Sequence, residues 1–162
     1  TIEDSIENIN EFQYPPNVVV SFEVIEHLFS PKDFLLDCSR IMASEGIIAI
    51  TCPNFKGFDI SILAKESDSI DAEHINMFNP ESLTLLFESC GFQVLECFTP
   101  GELDAEIVRN KILDDKINVE NQPFLKTILI DKWDELGESF QTFLQQNKLS
   151  SSMWIVGKKK KK

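Results

Sequence analysis

The residues best suited to chemistry sit in two short stretches. Glu23, Glu26 and His27 fall at i, i+3 and i+4, so a helical turn there projects all three from one face. Two hard carboxylate oxygens and an imidazole suit a divalent cation such as Mg²⁺ or Mn²⁺. Only two histidines occur in the chain, and the second, His74, lies in Asp71-Ala72-Glu73-His74. Glu23, Glu26 and His27 therefore form a candidate metal set by spacing. Without a metal, His27 or His74 can act as general base towards a hydroxyl nucleophile, because imidazole titrates near neutral pH. The plainer alternative is structural, with Glu26 and His27 capping a following helix and His74 bonded to backbone. Asn54, directly after Pro53, is either a substrate contact or a turn residue bonded to its own backbone.

The elements that must position these groups follow from periodicity. Residues 18–22, Val-Val-Val-Ser-Phe, form a short apolar run bounded by turn residues, which predicts a strand buried on both faces. Ser30 and Pro31 open a helix with Phe34, Leu35, Cys38, Ile41 and Met42 on one face, closed by Gly46. Residues 47–52 read as a second buried strand stopped at Pro53. A polar loop is expected up to Asn79, the N-cap of a helix that starts at Pro80 and ends at Gly91. Residues 93–98 are a third strand and 152–157 a last one. Between them, residues 100–149 carry apolar side chains at helical spacing and predict an insertion of two or three helices. Ile2, Ile6, Ile9 and Phe12 suggest an amphipathic helix over 1–13, and Lys158 to Lys162 suggest a solvated tail.

A chain of 162 residues with 43% apolar residues and 13 Phe can bury one sizeable core. Its 27 acidic against 15 basic residues give a formal charge of −12, which repels phosphate backbones and disfavours nucleic acid as partner. Cys38, Cys52, Cys90 and Cys97 stand far apart among apolar neighbours, the usage of free thiols in a reducing, cytoplasmic setting. No apolar run reaches the ~20 residues that cross a bilayer, and residues 1–4 do not open a signal peptide.

The stretch Val18-Val19-Val20-Ser21-Phe22-Glu23-Val24-Ile25-Glu26-His27-Leu28 is followed by Ser44-Glu45-Gly46-Ile47-Ile48-Ala49-Ile50-Thr51-Cys52-Pro53-Asn54. With His74 through Leu83 and Cys90-Gly91-Phe92, it resembles the C-terminal part of class I S-adenosylmethionine-dependent methyltransferases, including ubiquinone-pathway O-methyltransferases. The strongest element is Glu-x-x-Glu-His after an apolar strand together with the later Pro-Asn strand end. The resemblance implies an α/β fold, the C-terminal half of a Rossmann-like seven-strand sheet with strands in the order 4-5-7-6 and the last antiparallel. Residues 1–99 would then be a partial methyltransferase domain, 100–149 a helical substrate lid, 150–157 the final strand and 158–162 a lysine tail.

It also implies S-adenosylmethionine as cofactor, bordered by Ser21, Phe22 and Glu23, and a metal at Glu23, Glu26, His27 and His74 in some relatives. The family's Gly-rich loop has no counterpart here, since no Gly-x-Gly occurs; the cofactor-cradling first half is therefore expected upstream of Thr1, and these residues alone should bind the cofactor poorly and be inactive. The leading expectation is methyl transfer to an oxygen of a small molecule or glycan. Alternatives are 2′-O-methylation at RNA 3′ ends, opposed by the acidic charge, and a non-catalytic partner. The exposed edge of the first strand invites pairing with another chain, including a second copy.

Overall fold

The computed structural model describes Ile6 and residues 14–161; the helix expected over 1–13 otherwise lies outside the described residues. In chain order the elements are β1 (Val18–Phe22), α1 (Pro31–Ile41), β2 (Ile47–Pro53), α2 (Phe58–Leu63), α3 (Pro80–Ser89), β3 (Phe92–Phe98), α4 (Asp104–Leu113), α5 (Pro123–Lys126), α6 (Trp133–Gln146) and β4 (Ser152–Lys159). A π-helical turn, Thr127–Asp131, joins α5 towards α6.

The four strands form one mixed sheet in the order β1-β2-β4-β3. β1 and β2 run parallel, with Val18 opposite Ile47 and Phe22 opposite Thr51. β4 runs antiparallel to both β2 and β3. This is the expected 4-5-7-6 arrangement with its last strand reversed.

One face of the sheet carries the main core. Ile48, Ile50, Cys52, Met153 and Ile155 alternate inward and meet Leu35 and Cys38 of α1 and Leu83 and Phe87 of α3. The helices are set by local chemistry. Asn79 Oδ1 accepts the backbone N–H of Glu81 and Ser82, while Ser82 Oγ accepts the Asn79 N–H, a reciprocal cap on α3. Ser30 departs from expectation: its hydroxyl donates to the Asp33 carboxylate at 2.6 Å and caps no backbone N–H. At Gly91 the chain takes φ +87°, the left-handed exit that glycine accepts without strain.

Three expectations are corrected. β1 is not buried on both faces, because Val18, Val20 and Phe22 are more than half exposed on the outermost strand of the sheet. The stretch read as a polar loop contains α2, whose Leu63 joins a second core with Ala105, Val108, Leu129 and Leu144. Phe58 of α2 meets Phe140 of α6 edge-on at 5.1 Å. The lysine tail is partly structural: Lys158 pairs with Ile47, Lys159 with Phe92, and the Lys160 N–H donates to the Gly91 carbonyl.

All four cysteines are free thiols, three of them buried, and burial raises the Cys38 and Cys52 thiols far above the ordinary value. Among the described residues no helix is long and apolar enough to cross a membrane.

Gly157 in β4 lies under the fully buried Phe87, whose ring would be 2.9 Å from any Cβ placed there. Gly157→Leu is therefore expected to destabilise the fold by about 1–3 kcal/mol through overpacking, read as a lowered urea midpoint at unchanged m-value.

Candidate active site

At the carboxyl end of β1 the backbone makes an abrupt turn. Glu23 adopts φ +51°, and its N–H is held by the Thr51 carbonyl at 3.1 Å and by Thr51 Oγ1 at 3.2 Å. Helical geometry begins only with the short 3₁₀ turn Ile25–His27. Glu23 therefore does not share a helical face with Glu26 and His27, as its spacing suggested. Phe22 leans towards Trp154 of β4 at 5.6 Å, and Trp154 stacks on Phe98 of β3 at 6.1 Å. These rings form an aromatic row across the mouth of the sheet, flanked by Ser21 and Glu23.

A side chain that sequence reasoning did not single out as a brace secures the turn. Asn76 Nδ2 donates to the carbonyls of Leu28 at 2.6 Å and Glu26 at 3.2 Å, and the Asn76 N–H also donates to Glu26. The loop carrying His74 is thereby tied to the turn carrying His27. That loop is shaped by Asp71, whose Oδ1 accepts the N–H groups of Glu73 and His74; these bonds hold its carboxyl below the usual value.

The two imidazoles end up 4.7 Å apart, centroid to centroid. His27 Nδ1 lies 3.0 Å from the Glu73 carbonyl and His74 Nδ1 lies 2.8 Å from the Ser69 carbonyl. A carbonyl can only accept, so Nδ1 carries the proton in each ring and Nε2 presents its lone pair in the neutral form. Glu26 lies against them, its Oε1 3.8 Å from His27 Nε2. One donor atom from each of Glu26, His27 and His74 can be chosen so that all fall within 4.8 Å of one another. The Glu26 side chain is fully buried and neither carboxylate oxygen has a hydrogen-bond partner. Burial raises its carboxyl above the ordinary value, and the nearby Glu23 adds to this. Glu23 stands outside the three-residue cluster.

Asn54 has the bracing role. It is fully buried, Nδ2 donates to the Ser150 and Lys148 carbonyls, and Oδ1 accepts the Lys56 N–H. Its amide nitrogen is thus committed to the loop before β4 and its oxygen to its own turn, as the turn-residue alternative expected.

Asp59 of α2 is a further acid that the sequence reading passed over. It is 6% exposed and its Oδ1 has no hydrogen-bond partner. Burial and then the neighbouring Asp104 push its carboxyl up to about 6. The available signal was an acid between Phe58 and Ile60, four residues before Leu63, legible only once α2 is recognised as a helix. Asp104, by contrast, is fully engaged: it accepts the Ser151 N–H at 2.6 Å and Gln141 Nε2 at 2.7 Å.

Comparison with known proteins identifies the family and the fold. The model of a family described as "Methyltransferase domain" matches residues 2–97. A probable S-adenosylmethionine-dependent methyltransferase of Mycolicibacterium smegmatis is 31% identical over 90 residues, covering 54% of this chain and 34% of the relative. One of Mycobacterium tuberculosis is 31% identical over 88 residues, covering 52% and 31%. The chain spans about a third of the length of the curated relatives it matches. Among solved structures, a SAM-dependent methyltransferase of Thermotoga maritima superposes with TM-score 0.55 at 14% identity, covering 98% of this chain and 63% of that one. One of Archaeoglobus fulgidus gives 0.53 at 19% identity, covering 98% and 66%. At such identities these likenesses establish the fold, an α/β unit with a four-strand mixed sheet that corresponds to part of a Rossmann-like methyltransferase.

The burial of Asp59 can be tested without a substrate. Burial and Asp104 push its carboxyl up to about 6 from the ordinary 3.8, so ionising it costs stability, which falls as pH rises between these values. Asp59→Asn is expected to remove that decline and to stabilise the fold at pH 7 by an amount on the order of 1–3 kcal/mol, measured by thermal melts between pH 4 and 8.

Proposed function

Because the chain belongs to the methyltransferase-domain family, we propose that it serves S-adenosylmethionine-dependent transfer of a methyl group to an oxygen of a small molecule or glycan. The observation that carries the reading is the convergence of His27, His74 and Glu26 beside the carboxyl end of β1, the end of an α/β sheet where ligands sit.

The residues at that end fit the cofactor. Phe22 offers a half-exposed ring beside Trp154, suited to an apolar or aromatic portion, and Ser21 and Glu23 offer a hydroxyl and a carboxylate for polar groups. When bound, S-adenosylmethionine supplies an electrophilic methyl carbon on a sulfonium. The work left to this chain is alignment of the acceptor and removal of its proton. An alcohol is a weak nucleophile until it loses that proton, and His27 Nε2 or His74 Nε2 can take it, each ring being oriented through Nδ1.

A second reading assigns Glu26, His27 and His74 to a divalent cation that orients the acceptor hydroxyl. Its support is the buried carboxylate without a hydrogen-bond partner, together with two imidazoles whose Nδ1 protons are already committed; a cation supplies the counter-charge that Glu26 lacks. Glu23 lies beyond this set and would act towards cofactor or acceptor.

The exposed edge of β1, with Val18, Val20 and Phe22 uncovered, supports pairing with a further strand, including that of a second copy.

Incubation of the full-length protein with labelled S-adenosylmethionine and hydroxylated acceptors should give methyl-ether products. His27→Ala or His74→Ala should lower kcat by about 10²–10⁴-fold. A chelator distinguishes the two readings: loss of turnover restored by Mg²⁺ or Mn²⁺ favours the cation, and unchanged turnover leaves the histidines as bases. Absence of any methylated product with an intact fold would remove the proposal.

A further inference from the structure

The mouth of the sheet opens onto a second polar place, lined by none of Glu26, His27 and His74. A cleft of about 490 Å³ lies between Glu23, Pro53 at the end of β2, Asp59 of α2, Leu103 and Asp104 at the start of α4, and Ser151 before β4. With Glu102 its wall holds four carboxylates, and no Lys, Arg or His lines it among the described residues.

Most polar groups around this cleft are satisfied within the protein. Gln141 Nε2 donates to Asp104 Oδ2 and to the Gly101 carbonyl, both at 2.7 Å. Gln141 Oε1 accepts the Ala105 N–H, and Asp104 Oδ1 accepts the Ser151 N–H. Two buried groups in the wall are exceptions. Asp59 Oδ1 and Ser151 Oγ are buried without a hydrogen-bond partner, on residues only 6% and 9% exposed.

Their placement is enforced by close packing, since a Cβ at Gly57 would overlap Ser151. An unpaired buried carboxylate is costly, and the raised Asp59 carboxyl reflects a group that finds no counter-charge in the protein. A cationic ligand in the cleft would supply that counter-charge. An anion is repelled by four carboxylates; a neutral hydroxyl supplies a hydrogen bond but no charge. An ammonium group supplies both, with three donors for Asp59, Ser151 and a third acceptor.

We propose that this cleft binds a primary ammonium group of the methyl acceptor, held by the Asp59 carboxylate and the Ser151 hydroxyl. The proposal rests on the methyl-transfer reading only in calling that ligand the acceptor. The ammonium anchors and does not react, because a protonated nitrogen has no lone pair to receive a methyl group. The acceptor class is therefore a hydroxylated amine, fixed at nitrogen and methylated at oxygen.

The test titrates the full-length protein with two matched pairs, ethanolamine against ethylene glycol and glucosamine against glucose, following the backbone amide signals of Gly57, Asp59 and Ser151. In at least one pair the amine is expected to bind about tenfold or more tightly than its neutral partner, shifting these signals. Asp59→Asn should abolish that preference, and Ser151→Ala should weaken the amine a few-fold. Thermal melts confirm that each variant is folded, and Ser151→Ala keeps the test open should Asp59→Asn fail to fold.

An N-acetylated, C-amidated Gly-Lys-Gly peptide, whose one ammonium is the lysine side chain, is the control: weaker binding than the small amines supports a hydroxylated amine, and tighter binding overturns the proposal, since lysine offers no hydroxyl for methylation. Equal binding within both pairs, no binding by either amine, or a preference that survives Asp59→Asn overturns the proposal. Amine binding requires no methyl donor, so its failure leaves the methyl-transfer reading standing. Loss of transfer with amine binding intact counts against that reading alone.

Discussion

The structure depends on the insertion of β4 between β2 and β3. The latter two strands do not pair with each other, and every sheet hydrogen bond of β3 runs to β4. Residues 152–159 must therefore return from the far side of the helical layer before the sheet exists as a unit. This is contact at long sequence separation, in which loop closure is costly before pairing offsets it. The same strand supplies Met153 and Ile155 to the main core and the glycine that accommodates Phe87. Its approach segment, Ser150 and Ser151, accepts the Asn54 side chain and donates to Asp104. Placement of one terminal strand thus fixes the core, the end of β2 and the wall of the acidic cleft together.

The fold was legible where a single period dominated. The Val-rich run of β1, the Ile-rich run of β2 and the face Leu83-Leu86-Phe87-Cys90 each carry a pattern that only one element satisfies, and Asn79-Pro80 marks its helix start by chemistry alone. The last-strand reversal was not a matter of period; it followed from resemblance. What failed did so for tertiary reasons. β1 has the composition of a doubly buried strand, yet Val18, Val20 and Phe22 are exposed among the described residues, because composition reports what a strand prefers and not what lies beside it. α2 is six residues long, too short for its period to rise above the polar residues around it. Lys158 and Lys159 are polar by type but extend β4 because backbone pairing does not depend on side-chain charge.

The candidate site divides in the same way. Glu26, His27 and His74 were identifiable from residue type, and the structure brings them together. What could not be read was the instrument of their convergence: Asn76, an asparagine in a loop, spends its amide on the carbonyls of residues 26 and 28. Glu23 illustrates the converse. Its spacing promised a shared helical face, but the left-handed turn at the strand end re-aims it towards the cleft. A spacing argument holds only while the backbone stays regular, and strand ends at functional sites are where it does not.

Among the described residues, Glu26 and Asp59 are buried acids with carboxylate oxygens that have no hydrogen-bond partner. Each is nearly or wholly buried, each has a carboxylate oxygen without a partner, and desolvation raises both. Elsewhere the protein shows that it can satisfy such groups: Asp104, equally buried, has backbone and side-chain donors. The difference is one of surroundings. Asp104 is enclosed by the Gln141 network that locks α4 to α6, whereas Glu26 faces two imidazoles and Asp59 lies in a cleft wall. Fold stability alone favours replacing either acid with an amide or an apolar side chain. Such departures from the packing rule are expected where function rather than stability selects the residue, and both proposals above draw on them.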